Sequence, residues 1–192
     1  MKESILISII IIIIYIFLFI NRNNVTYIES NTGTKFLVHK DANKQEKANL
    51  LGELVEKLYK LKAHLEKNKD KFPEHIEHIN MLSDNFSEGK TTVYETDPES
   101  NLTSYSVNKG EELSFCLQSK KTGALHDINL LTYVGIHEIS HIACPEIGHG
   151  ELFKKIFKLF AQEGVNIGIY KKIDYYEVPV EYCGMILSSS II

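Results

Sequence analysis

Three histidines and one glutamate stand at a spacing that suits hydrolysis by zinc. His137, Glu138 and His141 belong to the pentapeptide His-Glu-Ile-Ser-His, and His149 follows within Gly-His-Gly. Residues four apart lie on one helix face, so His137 and His141 can direct their imidazoles at the same ion. A catalytic zinc takes three protein ligands and keeps a fourth position for water. The pattern predicts one zinc per chain, bound by His137, His141 and His149, with Glu138 as the catalytic base.

The third ligand has two alternatives. Cys144 shares a helix face with the first two histidines, but it lies about 10 Å along the axis from the first and its side chain is short. Glu163 would be a ligand from a later helix. We favour His149, because Pro145 ends the helix and the glycines on either side of His149 let the chain return toward the metal.

The motif requires a helix, and the surrounding residues predict one. The segment 128–143 is apolar nearly all round, which indicates a buried central helix, and Asp127 is a suitable N-cap. The run 151–160 has helical periodicity and would place His149 at a helix start. Upstream, periodicity predicts helices over 46–67 and 74–82 and strands over 91–96 and 103–108. Residues 46–192 therefore form one domain.

The N-terminal region differs in composition from the rest. Residues 5–20 form an apolar run in which only Ser8 and Tyr15 carry polar groups. The run is longer than the apolar region of a secretory signal and no small-x-small cleavage site follows it, so we expect an uncleaved membrane anchor over 1–22 rather than a signal peptide. Residues 23–45 are predicted as a linker that contains a short strand around 35–38. The expected location is a single-pass membrane protein, with the side facing the catalytic domain left open.

Cysteine usage and charge restrict the other possibilities. Cys116, Cys144 and Cys183 form no close pair, so we expect no disulfide framework and favour a reducing compartment. The formal net charge is −4, whereas nucleic-acid partners usually require a basic face. Nucleic-acid binding is therefore not predicted, and the lysine clusters are interpreted as solvated helix faces.

The site residues also carry a family resemblance. The motif with its downstream segment 148–153 resembles the WLM and SprT-like zinc metallopeptidases, and residues 90–187 resemble WLM-like peptidases of large DNA viruses more closely still. The similar segments are 105–112, 114–117, 126–129 and 179–185. The resemblance implies an α+β, zincin-like domain in which a small mixed sheet packs on the central helix. It also implies zinc binding by His137, His141 and His149, with Glu138 as base.

The same analogy suggests how a peptide would be held. In zincin-like folds an edge strand before the active helix carries the extended substrate, and this role would fall to Leu113, Ser114, Phe115, Cys116 and Leu117. A donor to the tetrahedral oxygen must also be present. The candidate donors are Tyr182, Tyr176, Tyr175 and His126, and the residues alone do not choose among them.

Two functions from different classes follow. The first is a membrane-anchored, zinc-dependent peptidase, expected to be an endopeptidase, that acts on proteins or peptides through an activated water with Glu138 as general base. The alternative is a non-catalytic zincin-like module that binds a protein partner. Glu138 favours the peptidase, because a structural zinc closes its fourth position with another ligand and none is evident nearby. Exopeptidase activity stays open.

Overall fold

The computed structural model describes residues 2–22 and 24–192, with side chains for residues 6–16 and 24–192. The helices are α1 (Lys2–Arg22), α2 (Lys44–Asn68), α3 (Ile76–Asn85), α4 (Ile128–Ala143) and α5 (Glu151–Asn166), with 3-10 turns at Lys69–Lys71 and Pro73–His75. The strands are β1 (Val25–Glu29), β2 (Lys35–His39), β3 (Thr92–Glu95), β4 (Tyr105–Val107), β5 (Glu112–Phe115), β6 (Val180–Tyr182) and β7 (Met185–Leu187). The expected α+β class with a small mixed sheet is confirmed.

The main sheet has the strand order β1-β2-β3-β5-β4. Its central pairs, β2 with β3 and β3 with β5, are parallel, whereas the two outer pairs are antiparallel. Strands β1 and β2 come from the segment 23–45 that the sequence predicts as a linker. They pair from Val25 opposite His39 to Glu29 opposite Lys35, and alternate residues Phe36 and Val38 are buried. The folded unit therefore includes this segment.

Helix α4 is buried at the centre of the fold, as its composition predicts. It packs against α2, α3, α5 and the strands β4 and β5. The Asp127 side chain accepts a hydrogen bond from the Asn129 amide at 2.8 Å and caps the helix start. Gly135 allows α2 to approach closely, since a Cβ there would lie 2.9 Å from Leu54 Cδ1. Gly135 is two residues before His137, so the packing of α2 against α4 helps to fix the position of the backbone that carries this histidine.

A buried cluster of charges joins α2 to the sheet. The Lys47 side chain is fully buried, and its Nζ lies 2.6 Å from Glu95 Oε1 and also contacts the Asp41 carboxylate. The other oxygen of Glu95 accepts a hydrogen bond from the His39 amide at 2.7 Å. Charges this deep are tolerated only when they are paired and hydrogen-bonded, and both conditions hold here.

The cysteines correct the expectation drawn from their spacing. Cys116 and Cys183, separated by 67 residues, form a disulfide, while Cys144 is free and buried. The expectation of no disulfide is wrong because a bridge across such a separation leaves no local pattern. The bond ties the residue after β5 to the turn between β6 and β7, and so anchors this C-terminal hairpin to the domain.

Reducing this disulfide is expected to lower the free energy of unfolding by about 4 kcal/mol, from the entropy of closing a loop of this length in the unfolded chain. Urea unfolding with and without a thiol reductant measures the difference. The double variant Cys116→Ser with Cys183→Ser should be insensitive to reductant. Equal stability of the wild type in both conditions would contradict the prediction.

The expectation of a membrane anchor also requires correction. Among the residues that the structure describes, no helix is long and apolar enough to cross a membrane. The predicted single-pass membrane location is therefore wrong.

Candidate metal centre and cleft

The three histidines of the motif converge on one point. His137 and His141 project from consecutive turns of α4, and His149 reaches them from the residue before Gly150, the N-cap of α5. The three Nε2 atoms lie 3.1 Å from one another. The sequence places two of these side chains on one helix face, and the fold adds the third across a five-residue loop of irregular structure.

This arrangement fits a zinc ion. In a neutral imidazole, each ring nitrogen is either a hydrogen-bond donor or an acceptor. Three Nε2 atoms at equal distances from one another therefore cannot all form good hydrogen bonds among themselves. A tetrahedral zinc with nitrogens at about 2.0–2.1 Å separates them by about 3.3–3.4 Å. The observed triangle, with edges of 3.1 Å, is close to that size. Lone pairs that meet at this separation match a cation better than a hydrogen-bond network.

The electrostatic environment keeps the imidazoles of His137 and His141 neutral. Burial, with repulsion from its two neighbours, lowers the pKa of His137 to about 3. Burial and repulsion from His149 and Lys109 lower the pKa of His141 to about 4. Both imidazoles are therefore neutral near pH 7, the state in which a ring nitrogen binds a metal.

An aromatic side chain supports all three rings. The Phe153 ring, on the first turn of α5, stacks on His141 with centroids 4.1 Å apart and lies 5.0 Å from His137 and 4.9 Å from His149. Phe157 adds an edge contact to His137 at 5.1 Å. Phe153 is buried. The orientation of the imidazoles is therefore set largely by packing.

The two alternative third ligands lie elsewhere. Cys144 is fully buried in the core cluster and is outside the histidine group. Glu163, on α5, has its Oε2 2.6 Å from His64 Nε2 and so pairs with α2. The geometry therefore leaves His149 as the residue that joins the two histidines of the helix.

Glu138 lies in the wall of the cleft beside these histidines. Its side chain is buried, and that burial raises its pKa to about 8. A cation held by the histidines would lower this pKa, because a nearby positive charge favours the carboxylate. A carboxyl group whose protonation responds to its surroundings in this way is suited to proton transfer.

The cleft around the histidines is a cavity of about 780 Å³ with two unlike walls. One wall is polar and comes from the two residues before β4, from β4 itself and from the turn after it. Its residues are Thr103, Ser104, Tyr105, Ser106, Asn108 and Lys109. The other wall is mostly apolar and comes from α4 and the C-terminal hairpin, with Tyr133, Val134, Tyr182, Met185 and Leu187. The cleft is large enough to hold several residues of an extended peptide.

In the segment predicted to carry the substrate, 113–117, Leu113 and Ser114 have strand partners on both sides. Strand β5 pairs with β3 on one side and with β4 on the other. On this side the sheet ends at β4, which has no partner on its outer edge among the strands that the structure describes and whose residues line the cleft. The sequence missed this order because the strand preceding the active helix in the chain is not the outermost strand in space.

The candidate oxyanion donors occupy different positions. Tyr182 lines the cleft, and its hydroxyl shares a hydrogen bond with Ser104 Oγ. His126 is buried behind it, where Nε2 accepts a hydrogen bond from the Cys183 amide. Tyr176 is 74% exposed, and Tyr175 packs on Tyr133 in the core. The structure therefore brings Tyr182 to the cleft and leaves the other three away from its lining.

The sequence of this chain is similar to proteins of large DNA viruses. No family model matches the chain. It is 40% identical over 172 residues to protein R325 of Acanthamoeba polyphaga mimivirus, which is named as uncharacterized; the match covers 89% of this chain and 86% of R325. It is also 36% identical over 69 residues to protein 136R of Invertebrate iridescent virus 6, covering 35% of this chain and 38% of that protein.

A solved structure shares the fold. A Wss1 mutant from Saccharomyces cerevisiae matches with a TM-score of 0.50 and 16% identity, over 67% of this chain and 85% of that chain. At this identity the likeness concerns the fold. Because Wss1 is a WLM-family zinc metallopeptidase, the resemblance predicted from the sequence is confirmed at that level.

Proposed function

We propose that this chain, which belongs to the family of the mimivirus protein R325, is a zinc-dependent peptidase that acts as an endopeptidase. The observation that carries the proposal is the meeting of three histidine Nε2 atoms, 3.1 Å apart, in the same cleft as the buried Glu138. Three nitrogen ligands leave a fourth position for water, which distinguishes a catalytic site from a closed structural one. The Wss1-like fold supports the same class of protein.

The residues of the chain have distinct parts in the proposed reaction. His137, His141 and His149 would hold zinc, which when bound acts as a Lewis acid and lowers the pKa of water to about 7. Glu138 would accept the proton of the attacking water and return it to the leaving amine, so the carboxylate ends each cycle unprotonated. Tyr182, with its hydroxyl held by Ser104, would donate to the oxyanion.

The substrate would lie along β4. The outer edge of this strand has no partner among the described strands, so an extended peptide could add to the sheet there. A peptide added there would run through the cleft between the polar wall and the apolar wall. We therefore propose an unfolded or extended protein segment as the substrate, with its side chains facing α4 and β7.

Strand β7 offers a matched test of this placement. Met185 lines the cleft and is 51% exposed, whereas Ile186, 52% exposed, is not part of the cleft lining. We expect Met185→Lys to shift cleavage away from peptides with bulky apolar residues by on the order of 10-fold, because a charge enters an apolar pocket. Ile186→Lys should leave the preference unchanged. Cleavage profiles on a mixed peptide library provide the measurement, and equal profiles for both variants would contradict the placement.

The proposal is tested by measuring zinc content and cleavage of a fluorogenic peptide mixture with the full chain, beside His149→Ala and the control His78→Ala. We expect one zinc per chain in the wild type and the control. We expect loss of zinc and cleavage in His149→Ala, because two ligands bind zinc far more weakly than three. Zinc without cleavage of any peptide would favour the non-catalytic binding module. Absence of zinc from the wild type would overturn the proposal.

A further inference from the structure

One lysine gathers three main-chain carbonyl groups at the end of α4. Lys109 Nζ donates to the carbonyl oxygens of His141 at 3.4 Å and Glu146 at 3.0 Å, and also to that of Cys144. These three carbonyls run from the second histidine of the site into the loop that leads to His149. The three N–H groups of the ammonium are matched by three acceptors, so the lysine is engaged with this loop.

The loop has little else to define its shape. Residues 145–149 are exposed and lie outside helices and strands. Among the residues that the structure describes, the backbone of 145–149 forms one hydrogen bond, in which the Glu146 carbonyl accepts from Lys109 Nζ. Gly148 has a φ of 85°. Because glycine adopts positive and negative φ about equally well, it does not by itself restrict the loop to one conformation. Without an external tether, the position of His149 would rest on its ring packing and on the start of α5.

The turn that presents the lysine is itself strained. Asn108 and Lys109, between β4 and β5, have φ values of 46° and 58°, a left-handed region in which residues with side chains are uncommon. A residue with a side chain persists in this conformation only where its surroundings hold it. In this turn conformation, the Lys109 side chain reaches the loop and its ammonium contacts the carbonyl groups there.

We propose that Lys109 is a positioning residue that fixes the loop bearing His149 and thereby sets the affinity of the site for zinc. The inference rests on the proposed function, since it requires the histidines to bind the metal. The ammonium also lies at the C-terminal end of α4, where a cation interacts favourably with the helix dipole. Removing it would leave three carbonyls without this donor and release the loop, so that binding zinc would include the cost of ordering His149.

The charge of Lys109 and its contacts with the loop should have opposite effects on zinc affinity. The lysine ammonium repels a zinc ion nearby, so by Coulomb's law alone the loss of its charge should strengthen zinc binding. Loss of a positioning contact should weaken it, by about 10-fold to 100-fold for a residue that supports a ligand. The direction of the change in zinc affinity therefore separates the two explanations.

The experiment measures zinc affinity by competition with a chromophoric chelator, using the full chain with Lys109→Met, Lys109→Arg and the control Lys120→Met. Lys120 also donates to main-chain carbonyls, those of Ser100 and Leu102, but away from the histidines. We expect 10-fold to 100-fold weaker binding for Lys109→Met, recovery to within several-fold in Lys109→Arg, and wild-type affinity for Lys120→Met.

A second readout follows the ligand geometry. The visible absorption of bound Co²⁺ should change in Lys109→Met and return in Lys109→Arg, which a general loss of stability would not produce. If Lys109→Met does not fold, Lys109→Gln is scored by the same two readouts. Unchanged or tighter zinc binding in the folded variant overturns the inference and leaves the proposed peptidase intact. A wild type that binds no zinc overturns both.

Discussion

Replacing Glu138 with glutamine is expected to reduce peptide cleavage by about 10²-fold to 10⁴-fold while zinc stays bound. Glutamine has nearly the same size and preserves the packing of the buried side chain, but it cannot accept the proton of the attacking water. The three histidines are unchanged, so the metal is retained. Loss of turnover with retention of metal is the combination that a base, and not a ligand, produces.

The measurement compares single-turnover rates and zinc content in the wild type, Glu138→Gln and Glu146→Gln. Glu146 is a matched control, because it also lines the cleft but is exposed and lies in the loop before His149. Its variant should keep activity to within several-fold. If Glu138→Gln cleaved peptides at the wild-type rate, the carboxylate would not be the base, and the proposed mechanism would be abandoned.

Replacing Lys47 with methionine is expected to destabilise the fold by about 3–5 kcal/mol. The substitution removes the lysine cation that pairs with Glu95, whose side chain is 1% exposed, so a buried carboxylate loses this counter-charge. The apolar methionine fills most of the space, which means that the effect comes from the unpaired charge more than from a cavity. Such a loss is a large part of the stability of an ordinary domain.

Urea unfolding of Lys47→Met beside Lys62→Met provides the measurement. Lys62 lies in the same helix and pairs with Glu66 at 3.5 Å, but Glu66 is 41% exposed. That control should lose no more than about 1 kcal/mol, because surface pairs contribute little. Adding Glu95→Gln to Lys47→Met should restore part of the stability, since the amide keeps an oxygen for the His39 amide without a charge. Equal losses in the two lysine variants would contradict the prediction.

Local patterns in the sequence determined the parts of this protein that depend on neighbours in the chain. Helix α4 runs from Ile128 to Ala143 with its cap at Asp127, as the apolar periodicity and the capping residue predict. The pairing of His137 with His141 follows from helix geometry, and the glycines around His149 indicate where the chain turns back. Helix periodicity and caps are encoded within a few residues, so one segment is enough to predict them.

Only the tertiary structure decided what long-range pairing controls. It placed β1 and β2 in the sheet, made β4 an edge strand, joined Cys116 to Cys183 and stacked Phe153 on His141. It also brought Lys109 across the fold to the loop that carries His149. The physical reason is common to all of these. Each contact joins residues whose separation in the chain leaves no periodic pattern, and whether they meet depends on how the whole core packs.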